Sequence, residues 1–335
     1  MSMLSMLPYI NELPRVLEMS QQALQAAPVE QVGAGPGLSV LQGAILGLVE
    51  GITEYLPVSS TGHLLIASDL MRLERTGVSK ANIDAFNIVI QGGAILAVAG
   101  LYFPRFLQML RGLLGRDALG LRLFICVVIA FLPAAVVGLL VHDWLEAHLF
   151  NTMSVAAALF VGGLFMIAID RLIIRPRRQS AQAGASDPAL VGHELDRLTP
   201  TQALVVGLLQ LFALIPGTSR SMMTISGGVI VGLRPAAAAE FSFLLGMPTL
   251  LAASAYALYK NLKHAKQSGT PNLFQEIGWA PTIVGLLVAT VSAALAVRWL
   301  VGFLNRQGLT PFGIYRIALA AVLLTLFWQG LVNVN

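Results

Sequence analysis

Charge is scarce in this 335-residue chain: Asp, Glu, Lys and Arg make up 11% of it, against 56% hydrophobic side chains and a mean hydropathy of +0.76. A soluble globular domain, with about a quarter of its residues charged, is excluded. The chain reads as an integral membrane protein. Cysteine is scarcer still. Cys126 is the only one and lies in an apolar run, so an intramolecular disulfide is excluded too. Nor is there a concentrated basic face: the net charge is +4, but the basic residues are scattered over short connections between apolar runs. That argues against a nucleic-acid partner and for membrane topology. A signal-peptide pattern is also missing, because Pro8 and Pro14 interrupt the first apolar stretch and Glu12, Glu18 and Glu30 stand against Arg15. Residues 1–37 read as an extension without a catalytic role, an amphipathic surface helix around 11–26 or a disordered segment, ending in the linker Gly33-Ala34-Gly35-Pro36-Gly37.

What the chain has is apolar runs. Six are long enough to span a bilayer, which takes about 20 residues; they fall near 85–103, 123–142, 153–174, 238–259, 281–302 and 312–332. Two further stretches, 39–72 and 201–233, break in the middle at Pro57 and at Pro216-Gly217. Such a break predicts two short helices forming a re-entrant hairpin, and non-helical backbone at membrane depth is tolerated only where protein buries it or a cavity receives it. Hairpin plus three spans occurs twice. The predicted fold class is therefore an all-α integral membrane protein with six transmembrane helices and two re-entrant hairpins in an inverted-topology repeat. Its parts are a first repeat over 38–178, a polar linker over 179–200 and a second repeat over 201–335. Laid over each other, Gly47-Leu48-Val49-Glu50 faces Gly207-Leu208-Leu209-Gln210, and Pro57-Val58-Ser59-Ser60 faces Pro216-Gly217-Thr218-Ser219 with one residue of slippage. Arg105, Arg111, Arg116 and Arg122 in one connection, and Arg171, Arg175, Arg177 and Arg178 in another, predict cytoplasmic loops. Lys260, Lys263 and Lys266 disagree, since their connection should be external.

Ionisable residues inside the apolar stretches are few: Glu50, Glu54, His63, Arg220, Glu240 and Arg316, with Asp69 near an end. Each costs roughly 2.5–3.5 kcal/mol at a helix centre unless it pairs or meets water. Glu50 and Glu54 are spaced i, i+4 and share a helix face. Two carboxylates that close cannot both stay ionised in low dielectric, so either one keeps a proton or a cation sits between them; oxygen ligands suit Mg²⁺ or Ca²⁺. The blander alternative is a pair of solvated glutamates at a cavity mouth. Ser59-Ser60-Thr61-Gly62-His63 puts three hydroxyls and an imidazole at a helix start, where orphan N–H groups seat phosphate. One of Ser59 and Ser60 is expected to serve only as a cap. Ser219, Arg220, Ser221 and Thr224 repeat that seat with a guanidinium added, and Arg grips phosphate in bidentate fashion. A structural Glu–Arg ion pair is the competing reading. Glu240 and Arg316 read as site support or as structural charges in equal measure, and Gln91 as the first-half counterpart of the Glu240 region. His142 and His148, with Asp143 and Glu146, read as a solvated external loop.

The runs VEGITEYLPVSSTGH and PGTSRSMMT together resemble the undecaprenyl-diphosphate phosphatases of bacteria, and the likeness continues through SGG, EFSFLL at 240–245 and IYR at 314–316. The resemblance implies removal of the terminal phosphate of undecaprenyl diphosphate, recycling the lipid carrier of cell-wall synthesis. It also implies a divalent cation and a multi-pass protein of the bacterial inner membrane whose site faces the periplasm. By motif it gives Glu50 and Glu54 as the acidic pair, Ser60 and His63 as hydroxyl and imidazole, and Ser219, Arg220, Ser221 and Thr224 as the phosphate-binding run. Glu54, helped by Glu50 and a cation, would activate either Ser60 or a water, with His63 as acid or nucleophile. A polyprenyl diphosphate lipid and the membrane are the expected partners; the sequence leaves the oligomeric state open, a homodimer included. A transporter or flippase of polyprenyl phosphate lipids is the main rival, because inverted repeats are also a transport architecture. The type 2 phosphatidic acid phosphatases share Ser-Gly-His and Ser-Arg elements, but their further Lys/Arg-Pro motif and second His with a downstream Asp are not found here.

Overall fold

A computed structural model describes residues 37–331, apart from a few side chains among them. The extension and its proposed helix around 11–26 lie outside the described residues. Within them the protein is helical and has no strand. Six helices are long and apolar enough to cross a membrane: α3 (Lys80–Leu101), α5 (Ala118–Leu149), α6 (Thr152–Ile169) continued through a π turn into α7 (Arg175–Gln182), α11 (Pro235–Ser268), α13 (Trp279–Gln307) and α14 (Thr310–Trp328). Large apolar side chains such as Leu139, Leu140, Val291 and Leu295 point outward from them. In a bilayer such a surface meets acyl chains.

The two interrupted stretches form two broken helix pairs, α1 (Val40–Thr53) with α2 (Ser60–Leu70) and, after the short α8 (Pro188–Val191), α9 (Pro200–Gln210) with α10 (Arg220–Ile230). Both pairs start from the same device. Ser39 Oγ accepts from the Gln42 N–H at 3.2 Å while Gln42 Oε1 accepts from the Ser39 N–H at 2.8 Å. Thr199 and Gln202 repeat that capping box at 3.3 and 2.9 Å. Each pair then folds back on itself: Gln202 Nε2, at the start of α9, donates to the Val231 carbonyl just past α10 at 2.7 Å. In the first pair Leu38, before α1, shares an apolar cluster with Leu73 and Val78, beyond α2. Ser39 and Thr199, Gln42 and Gln202, Gly47 and Gly207, Glu50 and Gln210, and Ser59 and Ser219 are all the same number of residues apart. The two broken pairs thus align without slippage, and the single-residue offset between Pro57 and Pro216 belongs to the prolines alone.

Glycine fixes how the pairs dock. Gly43, Gly47 and Gly51 recur every fourth residue along α1 and face Pro281, Gly285 and Ala289 of α13, so close that a Cβ on Gly43 would stand 2.6 Å from the Pro281 carbonyl oxygen. Gly207 of α9 sits likewise on Ala130 of α5, where a Cβ would lie 2.5 Å from its carbonyl oxygen. Lipid tails are as apolar as leucine, so helices in a bilayer gain mainly from close backbone approach at small residues. The largest apolar core lies between the pairs and includes Tyr55, Phe241, Phe243, Leu244 and Leu245.

Three connections are more helical than expected. α11 has no breaker between Pro248 and Gly269, which ends it at φ +68°. Its 34 residues are about 51 Å long, against a hydrocarbon core of about 30 Å. Lys260, Lys263 and Lys266 therefore stand on the part that outruns a bilayer, not in a loop. α5 runs on to Leu149, which turns most of the expected 143–152 loop into helix. The 179–200 linker contains the end of α7, α8 and a 3₁₀ turn over Leu195–Arg197, and Arg122 anchors it by donating to the carbonyls of Leu198 at 2.8 Å and Asp196 at 2.5 Å.

Candidate active site

The two breaks meet. Ser59 and Ser219, the N-caps of α2 and α10, accept from the N–H groups of Gly62 at 3.4 Å and Met222 at 3.3 Å. Capping therefore falls to Ser59, which leaves Ser60, the first residue of α2, with its hydroxyl turned to the acid. Ser60 Oγ donates to Glu54 Oε2 at 2.8 Å. Gln91, projecting from α3, donates to the same oxygen at 3.2 Å. On the other side of the carboxylate, Arg220 Nη2 reaches Glu54 Oε1 at 3.4 Å. Glu54 and Arg220 are both about nine-tenths buried or more, with side-chain exposures of 5% and 9%. The attraction between two buried charges of opposite sign offsets part of the cost of taking both out of water.

Arg220 is held from three directions. Its Nη1 donates to the Ser242 carbonyl of α11 at 2.9 Å, and its guanidinium carbon lies 5.4 Å from the centre of the Tyr55 ring. Gly246, one turn further along α11, makes room: a Cβ there would stand 2.6 Å from Nη1. The other hydroxyls of the second motif bind protein. Ser221 Oγ donates to the Leu56 carbonyl at 2.8 Å, tying one tip to the other, and Ser219 Oγ and Ser221 Oγ are 3.0 Å apart. Thr224 Oγ1 donates to the Arg220 carbonyl at 2.9 Å and lies 2.6 Å from Ser242 Oγ. Thr61 is exposed.

Glu50 lies one helical turn before Glu54 and is 1% exposed, with Oε1 buried and without a hydrogen-bond partner. Among the described residues no group of three or more His, Cys, Asp or Glu side chains converges. Glu50 and Glu54 are the two buried carboxylates at the site. His63 stands apart from the Ser60–Glu54–Arg220 chain: its Nδ1 is 2.7 Å from the Ser59 carbonyl oxygen and its Nε2 2.6 Å from the Tyr315 hydroxyl. Arg316, with no exposed surface, reaches both breaks: Nη2 donates to the carbonyls of Gly217 at 2.9 Å and Ala158 at 3.1 Å, and Nη1 to that of Pro57 at 3.5 Å. Glu240 belongs elsewhere, paired with Arg105 at 2.6 Å. Gln91 supports Glu54 instead of pairing with a charge of its own. Sequence reasoning also passes over Tyr55, Ser242 and Tyr315. Tyr315 had one signal, its place beside Arg316.

These elements define an all-helical, multi-pass membrane protein whose buried polar site is shared by two broken helix pairs. Residues 43–322 match the family model described as bacitracin resistance protein BacA, and the chain belongs to that family. It is 44% identical over 296 residues to a Rhodospirillum rubrum protein named undecaprenyl-diphosphatase 2, covering 88% of this chain and 97% of that one. A Sorangium cellulosum undecaprenyl-diphosphatase is 44% identical over 282 residues, 84% of each chain. The undecaprenyl-diphosphatase of Geobacillus thermodenitrificans is 39% identical over 293 residues, 87% of this chain and 99% of the other.

Proposed function

We propose that the protein hydrolyses undecaprenyl diphosphate to undecaprenyl phosphate and inorganic phosphate, using Ser60 as nucleophile and Glu54 as its base. The observation that carries this reading is the 2.8 Å contact from Ser60 Oγ to Glu54 Oε2, with Arg220 on the opposite carboxylate oxygen. A hydroxyl is a weak nucleophile until an adjacent base takes its proton. Ser60 Oγ attacks the terminal phosphorus, its proton passes to Glu54, and the bond to the bridging oxygen breaks, releasing undecaprenyl phosphate. Water then attacks the phosphoserine; inorganic phosphate leaves with the water's oxygen and one of its protons, Glu54 returns its proton to Ser60 Oγ, and the second water proton is released. Arg220 and the N–H groups at the start of α2 face the charge that develops on the phosphoryl oxygens.

Glu50 and Glu54 fit a divalent cation, Mg²⁺ or Ca²⁺, because a buried carboxylate oxygen of Glu50 lacks any other partner. Such an ion, when bound, would neutralise charge on the diphosphate. We further propose that the two broken pairs are re-entrant hairpins of an inverted repeat in the bacterial inner membrane, with the site open to the periplasm. The arginines at 105–122 and 171–178 support this orientation.

Purified protein in detergent, without any gradient, is expected to release phosphate from undecaprenyl diphosphate, and rapid acid quenching should trap phosphate on Ser60. Chelation should suppress release, and Ser60→Ala should abolish it. If Glu54→Ala and Arg220→Ala release phosphate normally yet no longer move lipid across vesicles, a transporter replaces the phosphatase.

A further inference from the structure

His63 and Tyr315 form a pair that the steps above leave unused. The Ser59 carbonyl oxygen 2.7 Å from His63 Nδ1 can only accept, so Nδ1 carries the ring proton. The neutral imidazole then presents Nε2 as an acceptor, and the Tyr315 hydroxyl, 2.6 Å away, donates to it. If the ring gains a second proton, the same hydroxyl can rotate and accept, which no side chain lacking an O–H could do. The two rings are stacked, with centroids 5.6 Å apart and planes 2° from parallel. Tyr315 is carried on α14 beside Arg316, the residue that holds the Pro57 and Gly217 carbonyls. One turn of α14 thus fixes both breaks and the imidazole. Tyr315 and Arg316 are the ionisable groups that α14 turns toward His63, and α6 has none between Thr152 and Ile169.

We propose that Tyr315 is a positioning residue for His63: its hydroxyl fixes the Nδ1–H tautomer and covers Nε2, so the imidazole can act on a phosphate only after Tyr315 lets go. The kinetic part of this inference rests on the phosphatase reading; the pairing itself does not.

The test uses the full chain in detergent, as wild type, Tyr315→Phe, His63→Gln and the double variant. Phenylalanine keeps the ring stack and removes only the hydroxyl. Carbethoxylation by diethyl pyrocarbonate, mapped by peptide mass spectrometry, should reach His63 roughly fivefold faster in Tyr315→Phe, the value of one hydrogen bond. The rate at His193, far along the chain, should not change and reports an intact fold. In phosphate release, Tyr315→Phe should lower kcat about two- to tenfold, leave KM alone and displace the limb of the pH profile that His63→Gln removes. It should cost nothing further in the double variant. Equal carbethoxylation rates, additive losses in the double variant or full activity in His63→Gln would each overturn the proposal. A wild type that releases no phosphate sinks the phosphatase reading, while the carbethoxylation rates still decide the pairing.

Discussion

Ser59 and Ser219 share one backbone conformation, with φ at +75° in both and ψ at 98° and 116°. Positive φ is uncommon for any residue with a Cβ, yet of the three such residues among those described, one is Arg72 and the other two sit at matched positions of the two broken pairs. The purpose is the same each time. The chain must turn sharply out of a break and begin a helix, and a serine supplies the cap as it turns.

Substitutions at these two serines separate strain from capping. Alanine loses a cap, about 1 kcal/mol, and keeps the left-handed strain, roughly 1–2 kcal/mol for an L-residue. Glycine loses the cap and sheds the strain. Ser59→Ala and Ser219→Ala should therefore melt below wild type in detergent, with the glycine variants close to it. Alanine melting above glycine would mean the turn does not hold φ positive.

The contact between Glu54 and Arg220 makes a kinetic prediction. Glu54→Gln keeps the shape but cannot take a proton from Ser60, so kcat should fall by about 100-fold or more. Arg220→Lys cannot hold the Ser242 carbonyl, Glu54 and a phosphate together, and should lose roughly 100-fold in kcat/KM. Residues in contact couple, so the double variant should lose less than the product of the two. Single-turnover phosphate release measures all three; a fully multiplicative loss argues that the residues act in separate steps.

Most of the fold was legible because membrane insertion leaves coarse marks: six apolar runs, each about the thickness of a bilayer, and two that break. The site was legible for a related reason. Ionisable side chains at membrane depth are costly, so Glu54 and Arg220 stood out before any coordinates, and the structure joins them at 3.4 Å. Tyr315 and Ser242 could not be found that way. A tyrosine near a helix end is ordinary in a membrane protein, and Ser242 serves Arg220 through its backbone carbonyl, which every residue possesses. The helical ends of α5 and α11 were missed because a polar run, acidic in α5 and lysine-bearing in α11, reads as loop by hydropathy, whereas helix continues until a breaker such as Gly269 stops it.

Arg316 offers a test of what holds the tips together. Replacing it by methionine, similar in length but without donors, takes the guanidinium from the buried Pro57 and Gly217 carbonyls. An unsatisfied buried group costs roughly 1–3 kcal/mol, so Arg316→Met should lower the melting temperature and the yield of folded protein more than either serine variant. Arg316→Lys, able to reach one or two of the carbonyls, should fall between. A methionine variant as stable as wild type would show that the breaks are held by Ser221 and the caps instead.

The docking of α1 on α13 couples stability to the site. A Cβ on Gly47 would overlap the Gly285 carbonyl, and both partners are helix backbone, so neither can step aside as a flexible side chain would. The only relief is for the helices to separate, and Glu50 and Glu54 follow within two turns of Gly47. Gly47→Ala should therefore lower the melting temperature and also kcat, because Glu54 moves relative to Arg220, which is anchored on α11. Gly100 of α3 is the control: nothing lies within 4 Å of where its Cβ would be, and alanine gains up to about 1 kcal/mol over glycine in a helix. Gly100→Ala should leave kcat unchanged and melt at or above wild type. If both variants behave alike, α1 and α13 do not approach at Gly47, and the position of Glu54 is set by the tips alone.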